Sequence, residues 1–158
     1  MKIPQYHNYD RFPEIAVTTE QTAVSGAAAI AQVLKERITG DCVLVFDCYP
    51  GLEARTLSPI FALLAPNAVF DAEECMLDKD TYADKIQPYL TDDRVFGYLC
   101  KDNWSDYFDM QKIAAMQERI RNTAGVKIVW GVGAALITTG DILVCLYLES
   151  CGASGLSV

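Results

Sequence analysis

Three acidic residues stand at the ends of apolar runs in this sequence. Asp47 follows the run 43–46, and Asp71 follows the run 68–70, with Glu73 two positions later. Continuous apolar runs are typical of strands buried in a parallel sheet, and the loops after such strands meet at one edge. Carboxylates at that edge could hold Mg²⁺ or accept hydrogen bonds from a sugar. Capping of the following helices is the alternative interpretation.

The segment 49–56, YPGLEART, connects the first of these runs to a helical pattern. A Walker A loop occupies the same position and reads G-x-x-x-x-G-K-[ST], with backbone N–H groups that cradle phosphates. Arg55 and Thr56 stand at the Lys and Ser/Thr positions, but both glycine positions hold other residues and Gly51 is out of register. The segment therefore predicts either an ordinary strand-to-helix turn or a site for a smaller anion, held by the backbone around Gly51 and by Arg55.

A second glycine pair, Gly131 and Gly133, follows the apolar run 126–130. Glycines after a buried strand allow the backbone to approach a ligand closely. The third glycine of a dinucleotide-binding fingerprint is missing, so close packing of a helix against the sheet explains the pair equally well. The candidate ligand-binding residues are thus Asp47, Gly51, Arg55, Thr56, Asp71, Glu73, Gly131 and Gly133.

The aromatic, cysteine and histidine residues offer further chemistry. Trp104 and its aromatic neighbours Tyr107 and Phe108 suit either a stacking platform or a loop packed on the core. Cys48 lies beside the first turn, but no histidine is near it in sequence, so we do not expect a nucleophilic thiol. The six cysteines form no C-x-x-C pair and the chain has one histidine. We therefore expect no metal site and no cofactor, and Mg²⁺ only if a nucleotide binds.

Apolar runs alternate with segments of helical periodicity along the chain. Strands are predicted over residues 43–46, 68–70, 94–99, 126–130 and 142–148, and helices over residues 19–38, 53–64, 79–89 and 110–122. This alternation predicts an α/β fold in three layers, with a mostly parallel sheet covered on both faces. We assign one domain to residues 19–149, an extended arm to residues 1–18, and a short tail without regular structure to residues 150–158.

Charge and hydropathy exclude several functions. The chain of 158 residues has a formal charge of −8, and an acidic surface repels the phosphates of nucleic acids and anionic lipids. No apolar run approaches the ~20 residues that span a bilayer, and the N-terminus lacks the apolar segment of a signal peptide. We therefore expect a cytoplasmic protein that binds neither nucleic acid nor membranes.

A resemblance to a known family rests on five segments, which are VLVFDCYPG, AVFDAEE, TDDRVFGYL, DYFD and VWGVGAALITTGDILV. Over roughly residues 13–148, the chain resembles the N-terminal domain that precedes the cupin isomerase domain in long bacterial proteins of the class I mannose-6-phosphate isomerase family. Residues 126–148 are also similar to the last section of uridine kinase-like P-loop proteins. Gly131 matches there, whereas Trp130 replaces a glutamate. The resemblance implies a P-loop-NTPase-like fold with a degenerate Walker A loop.

The same resemblance implies an accessory role. The zinc site of the family lies on the cupin domain, and no residue of this chain corresponds to it. The chain would then carry the name of the isomerase family without the isomerase activity. The chain would then be the front part of a longer protein, or a separately encoded part that docks on an isomerase domain or chain.

Three hypotheses follow, and they leave open whether the chain is an enzyme. The first is a non-catalytic α/β domain of carbohydrate metabolism that binds a phosphorylated sugar or nucleotide. The second is a small-molecule kinase with an atypical phosphate loop, in which Asp47 or Asp71 activates the nucleophile. The third is a structural remnant of a longer protein, for which an exposed apolar patch beside the last strand would be evidence.

Overall fold

The computed structural model describes residues 23–148 and 154–157 of the chain. Its strands are β1 (Cys42–Asp47), β2 (Ala68–Asp71), β3 (Val126–Gly131), β4 (Ile142–Leu148) and β5 (Ser154–Ser157). They form one sheet in the order β2-β3-β1-β4-β5. The first four strands are parallel, and β5 pairs antiparallel with β4. The predicted α/β class with a mostly parallel sheet is confirmed.

Helices cover both faces of the sheet. They are α1 (Ala27–Arg37), α2 (Ala54–Leu64), α3 (Lys79–Ile86), α4 (Met110–Asn122) and the single turn α5 (Ala134–Ile137). Helices α1 and α2 pack on the face that carries Leu44 and Phe46. The other face carries Val45 and Val129 and is covered by α4 and α5, with α3 at its margin. This arrangement has the three layers that the alternation of elements predicted.

Strand β1 holds the centre of the sheet because both of its faces are apolar. Leu44, Val45 and Phe46 have no exposed surface, and β1 pairs with β3 on one side and with β4 on the other. A strand buried on two faces requires a continuous apolar run instead of an alternating one. The residue that ends this run, Asp47, is therefore brought to the middle of the carboxyl edge.

The first helix is shorter than its periodicity predicted. We expected it to begin at residue 19, but residues 23–25 are not helical and α1 begins at Ala27. Gly26 precedes it with φ 87°, a value that the right-handed helix does not use. The caps that the sequence suggested, Thr19 and Thr22, lie outside the described residues, as does the arm predicted for residues 1–18.

The strand predicted over residues 94–99 is wrong. The side chain of Asp93 accepts hydrogen bonds from the N–H groups of Val95 and Phe96 at 2.7 and 3.0 Å. Local side-chain bonds of this kind hold the backbone in a turn and compete with a sheet ladder. The apolar side chains of this segment are exposed, from 71% at Tyr98 to 86% at Leu99.

The C-terminal tail also differs from its prediction. Residues 150–158 were expected to lack regular structure, yet Ser154–Ser157 form β5 and pair with β4. Small polar residues carry a weak strand signal, whereas the backbone groups at the edge of β4 offer a template for pairing. No helix in the described part of the chain is long and apolar enough to cross a membrane.

Candidate functional site

A cleft of about 540 Å³ opens at the carboxyl edge of the sheet. Its lining comprises residues 47–50 after β1, Val132, Gly133, Ala135 and Leu136 after β3, Cys145 and Leu146 of β4, and Trp104. The chain leaves β1 toward β2 on one side and later crosses from β3 to β4 on the other. Open α/β sheets bind ligands where the strand order changes direction in this way, and the volume suits a small molecule.

Asp47 supplies the charged side chain of the cleft. In the sheet it lies between Gly131 of β3 and Cys145 of β4. One carboxylate oxygen accepts a hydrogen bond from the N–H of Ala135 at 3.3 Å, which fixes the side chain against the first turn of α5. No lysine or arginine within residues 23–148 forms an ion pair with Asp47.

Asp71 and Glu73 lie near the cleft but do not line it. Asp71 caps the 3₁₀ turn Ala72–Cys75, since its side chain accepts the N–H of Glu73 at 2.9 Å. This is the capping role that was the alternative interpretation of the acid. The structure thus gathers the three carboxylates at one edge, as expected, although Asp47 alone of them reaches the cleft. Within the described ranges, no group of His, Cys, Asp and Glu has a metal-binding arrangement.

Cys48 lines the cleft as a neutral thiol. Burial is the main cause that raises the pKa of Cys48 to about 11; a hydrogen bond with the Gly131 backbone lowers it, and the charges of Asp47, Asp71 and Glu73 contribute to the rise. The Sγ atom donates to the carbonyl of Phe46 at 3.3 Å. A thiol that stays protonated at neutral pH is a poor nucleophile.

We predict that iodoacetamide at pH 8 modifies Cys100 and Cys145 well before Cys48. Both are exposed, whereas Cys48 is buried, and at three pH units below its pKa only about 0.1% of Cys48 is thiolate. Mass spectrometry of peptides sampled over time measures the three rates. Modification of Cys48 at a rate equal to that of Cys145 would show that Cys48 is an activated thiol.

Within the loop that resembles a degenerate Walker A segment, Tyr49 and Pro50 line the cleft, whereas Gly51, Arg55 and Thr56 do not. Arg55 forms an ion pair with Glu53, and its side chain is 81% exposed. Thr56 is exposed, and its N–H donates to the carbonyl of Glu53 at 2.9 Å. Gly51 has φ 96° and nothing surrounds the position that a Cβ would take. The structure therefore does not bring these three predicted site residues together with Asp47.

The glycine pair after β3 makes room for neighbouring side chains. A Cβ on Gly133 would lie 2.6 Å from Cζ of Phe108 and 3.0 Å from Nε1 of Trp104, and Gly133 has φ 77°. Gly131 has φ 114°, and a Cβ there would lie 3.2 Å from the Asp71 carboxylate. Close packing of a helix against the sheet was one of the two interpretations of the pair. The packed element is instead the aromatic loop at Gly133 and the turn after β2 at Gly131.

Several lining residues were not among the eight candidate ligand-binding residues, although the sequence suggested Trp104 as part of a stacking platform. Trp104 is 41% exposed, although its neighbours Tyr107 and Phe108 are buried, so one residue of the aromatic loop remains available to a ligand. Nothing in the sequence around Leu136 and Cys145 marked their side chains as ligand-binding. The period-2 pattern of β4 could have indicated Cys145, since it shares the face of Asp47, its partner in the sheet.

The family model for a domain of unknown function, DUF8485, matches residues 26–149. The chain belongs to this family. No curated protein and no solved structure matches the chain. The match begins just before α1 and extends through β4, so the whole described cleft lies within the DUF8485 domain. The family description states no activity, and the function therefore has to be argued from the geometry of the cleft.

Proposed function

We propose that the DUF8485 domain is a non-catalytic binding domain for a small molecule, which occupies the cleft beside β1. One observation carries this proposal: an apolar cleft of about 540 Å³ at the switch point of the sheet, with a single carboxylate in its lining. Ligand sites are typically apolar cavities with a few polar groups that orient the ligand. Trp104 and Tyr49 supply flat surfaces for a ring, and Asp47 supplies a hydrogen-bond acceptor.

Among the residues that the structure describes, the lining lacks the groups that catalysis needs. General acid–base chemistry uses positioned groups that titrate near the working pH, and Asp47 is the carboxylate of the lining. The Cys48 thiol is held protonated, and no basic residue stands beside it in the lining to activate it. A binding role requires neither a second titratable group beside Asp47 nor a base beside Cys48, so it accounts for these residues.

The resemblance described above extends this proposal to carbohydrate metabolism. A phosphorylated sugar or nucleotide would place its sugar or base against Trp104 and its phosphate outside the cleft, because no lysine or arginine is in the lining. We further propose a cytoplasmic location, which the free cysteines of the described residues support.

A cupin isomerase domain is the protein partner that we propose. Two exposed apolar side chains favour a docked partner, since Leu143 of β4 is 46% exposed and Leu136 of α5 is 40% exposed. The remnant hypothesis shares this observation, because a lost partner also leaves apolar side chains exposed. Co-expression with such an isomerase domain followed by size-exclusion chromatography separates the two, and separate elution of the two proteins would count against docking.

A P-loop-kinase-like scaffold with small-molecule kinase activity is our second proposal. The observation that favours it is the position of Asp47 and Asp71 at the carboxyl ends of the parallel strands β1 and β2, on either side of β3, since carboxylates can hold Mg²⁺. The exposed Arg55–Glu53 pair counts against it, since a P-loop needs its cation at the phosphates. Stabilisation by ATP with Mg²⁺ would favour the kinase over the binding domain.

We predict that Ala135→Trp abolishes ligand-induced stabilisation. Ala135 is exposed and lines the cleft, so an indole there occupies ligand space without entering the core. The assay is thermal unfolding with ATP–Mg²⁺, uridine, mannose 6-phosphate, fructose 6-phosphate and phosphate. A ligand at 100 times its Kd stabilises the wild-type fold by about 2.7 kcal/mol.

Ala62→Trp is the matched control, because Ala62 is exposed on α2 and is not in the cleft lining. It should retain the full shift in Tm. A shift that survives in Ala135→Trp would place the ligand elsewhere and contradict the cleft as the binding site.

A further inference from the structure

The charged side chain of the lining, among the residues that the structure describes, is Asp47. Asp71 and Glu73 lie close enough for their charges to act on the Cys48 thiol in the cleft wall. Arg55, the basic residue among the sequence candidates, is paired with Glu53 and lies outside the lining. An anionic ligand group would therefore meet a carboxylate in the described lining and no basic side chain.

The hydrogen-bonding capacity of Asp47 points in the same direction. An ionised carboxylate only accepts hydrogen bonds and has about four acceptor positions. The N–H of Ala135 uses one of them, and no basic side chain of the described residues uses another. The ligand atom that meets Asp47 must therefore be a donor, such as an ammonium or a hydroxyl group.

An aromatic side chain lies in the same lining. Trp104 is held on one side by Tyr107 and Phe108, with ring centroids 6.0 and 6.3 Å away, yet 41% of it is exposed. Tyr49 also lines the cleft and is 54% exposed. The face of an indole ring attracts a cation, whereas a neutral hydroxyl group gains nothing comparable. A carboxylate beside an indole favours an ammonium over a hydroxyl group.

We propose that the cleft selects organic cations, namely primary amines with an apolar or aromatic body, whose ammonium group binds Asp47 beside the ring of Trp104. This inference rests on the proposed function, because it requires that the cleft is a binding site. It replaces the phosphorylated ligand of the carbohydrate proposal with a cationic one, and it names the two side chains that recognise the cation. The remaining lining, which includes Val132, Leu136 and Leu146, contacts the apolar body.

Three matched probes test the proposal, namely phenethylamine, phenethyl alcohol and hydrocinnamate. They share a phenyl ring on a two-carbon chain and end in a cation, a neutral group and an anion. Titration at pH 7 is followed by NMR on the indole N–H of Trp104, with that of Trp130 as reference, since Trp130 packs against Phe61 away from the cleft lining. We expect the amine to bind about tenfold tighter than the alcohol, and hydrocinnamate to cause no shift.

Asp47→Asn tests the role of the carboxylate. We expect the preference of this variant for phenethylamine over phenethyl alcohol to fall below about threefold, which is the part that the Trp104 ring provides, while the affinity for the alcohol stays within about twofold of its wild-type value. Glu36→Gln is the control, because it also removes one negative charge and Glu36 is an exposed residue of α1 outside the cleft lining. It should retain the preference for the amine.

The outcomes of these titrations distinguish the cation preference from the proposal that the cleft is a binding site. Equal binding of the amine and the alcohol to the wild-type chain, with a shift at Trp104, would overturn the cation preference and leave the cleft as a binding site. Tighter binding of hydrocinnamate than of phenethylamine would also overturn the cation preference and leave the cleft as a binding site. No shift at Trp104 with any of the three probes at millimolar concentration would overturn the cation proposal and the binding site together. None of these comparisons requires that a variant folds.

Discussion

Phe46→Ala is expected to lower the free energy of unfolding by about 3–5 kcal/mol. Phe46 is fully buried in the centre of the sheet, and its ring packs edge-on against Phe61 of α2 with centroids 5.1 Å apart. Phe61 in turn contacts Trp130 of β3 at 6.1 Å. Truncation therefore leaves a cavity between β1 and α2 that rigid strands on both sides cannot close. Urea denaturation followed by circular dichroism measures the loss.

Leu63→Ala is the control for this substitution. Leu63 lies on α2, the helix that covers Phe46, but its side chain is 42% exposed. Alanine is at least as good a helix former as leucine, so the change should cost less than about 1 kcal/mol. If Phe46→Ala lowered the free energy of unfolding by as little as Leu63→Ala is expected to, Phe46 would not be a core residue.

Gly133→Ala is expected to cost about 2–4 kcal/mol, from backbone strain and overcrowding together. The position has φ 77°, and an added Cβ would overlap Cζ of Phe108 at 2.6 Å and crowd Trp104 at 3.0 Å. The buried Phe108 cannot retreat without opening the core under the loop. Because Trp104 must move as well, the intrinsic tryptophan fluorescence of the native state should change together with stability.

Gly51→Ala separates the two causes. Gly51 also has a positive φ, 96°, but nothing lies within 4 Å of the position of its Cβ. Gly51→Ala should lower the free energy of unfolding by about 1–2 kcal/mol through backbone strain alone, and it should leave the tryptophan fluorescence unchanged. An equal loss at Gly51 and Gly133 would contradict the close packing of the aromatic loop on Gly133.

Local sequence was a good guide wherever burial imposes a simple pattern. The apolar run 43–46 predicted β1, because a strand covered on both faces cannot tolerate polar residues. The helical periodicity of apolar residues over 53–64 predicted α2, and its residues Leu57, Ile60 and Leu64 are buried. The acids after the strands were expected at one edge, and parallel pairing brings Asp47 and Asp71 there.

Local sequence misled where competing interactions decided the backbone. The residues 94–99 have the composition of a strand, but the Asp93 side chain bonds to the backbone of Val95 and Phe96. The residues before Ala27 continue the helical periodicity, but Gly26 takes a positive φ. Ser154–Ser157 have the composition of a tail, but the edge of β4 pairs with them. Hydrogen bonds decided the first and third cases, and the positive φ of Gly26 decided the second, and hydrophobic periodicity expresses neither.

The sequence by itself determined the α/β class, strand β1 and the position of Asp47 at the carboxyl edge of the sheet, since these depend on patterns of burial that adjacent residues express. Only the tertiary structure decided which residues share the cleft. It separated Arg55 and Thr56 from Asp47, turned Asp71 into a cap, and brought Trp104 beside a carboxylate 57 positions earlier in the chain. Such neighbours arise from strand order and loop packing, which no short stretch of residues encodes.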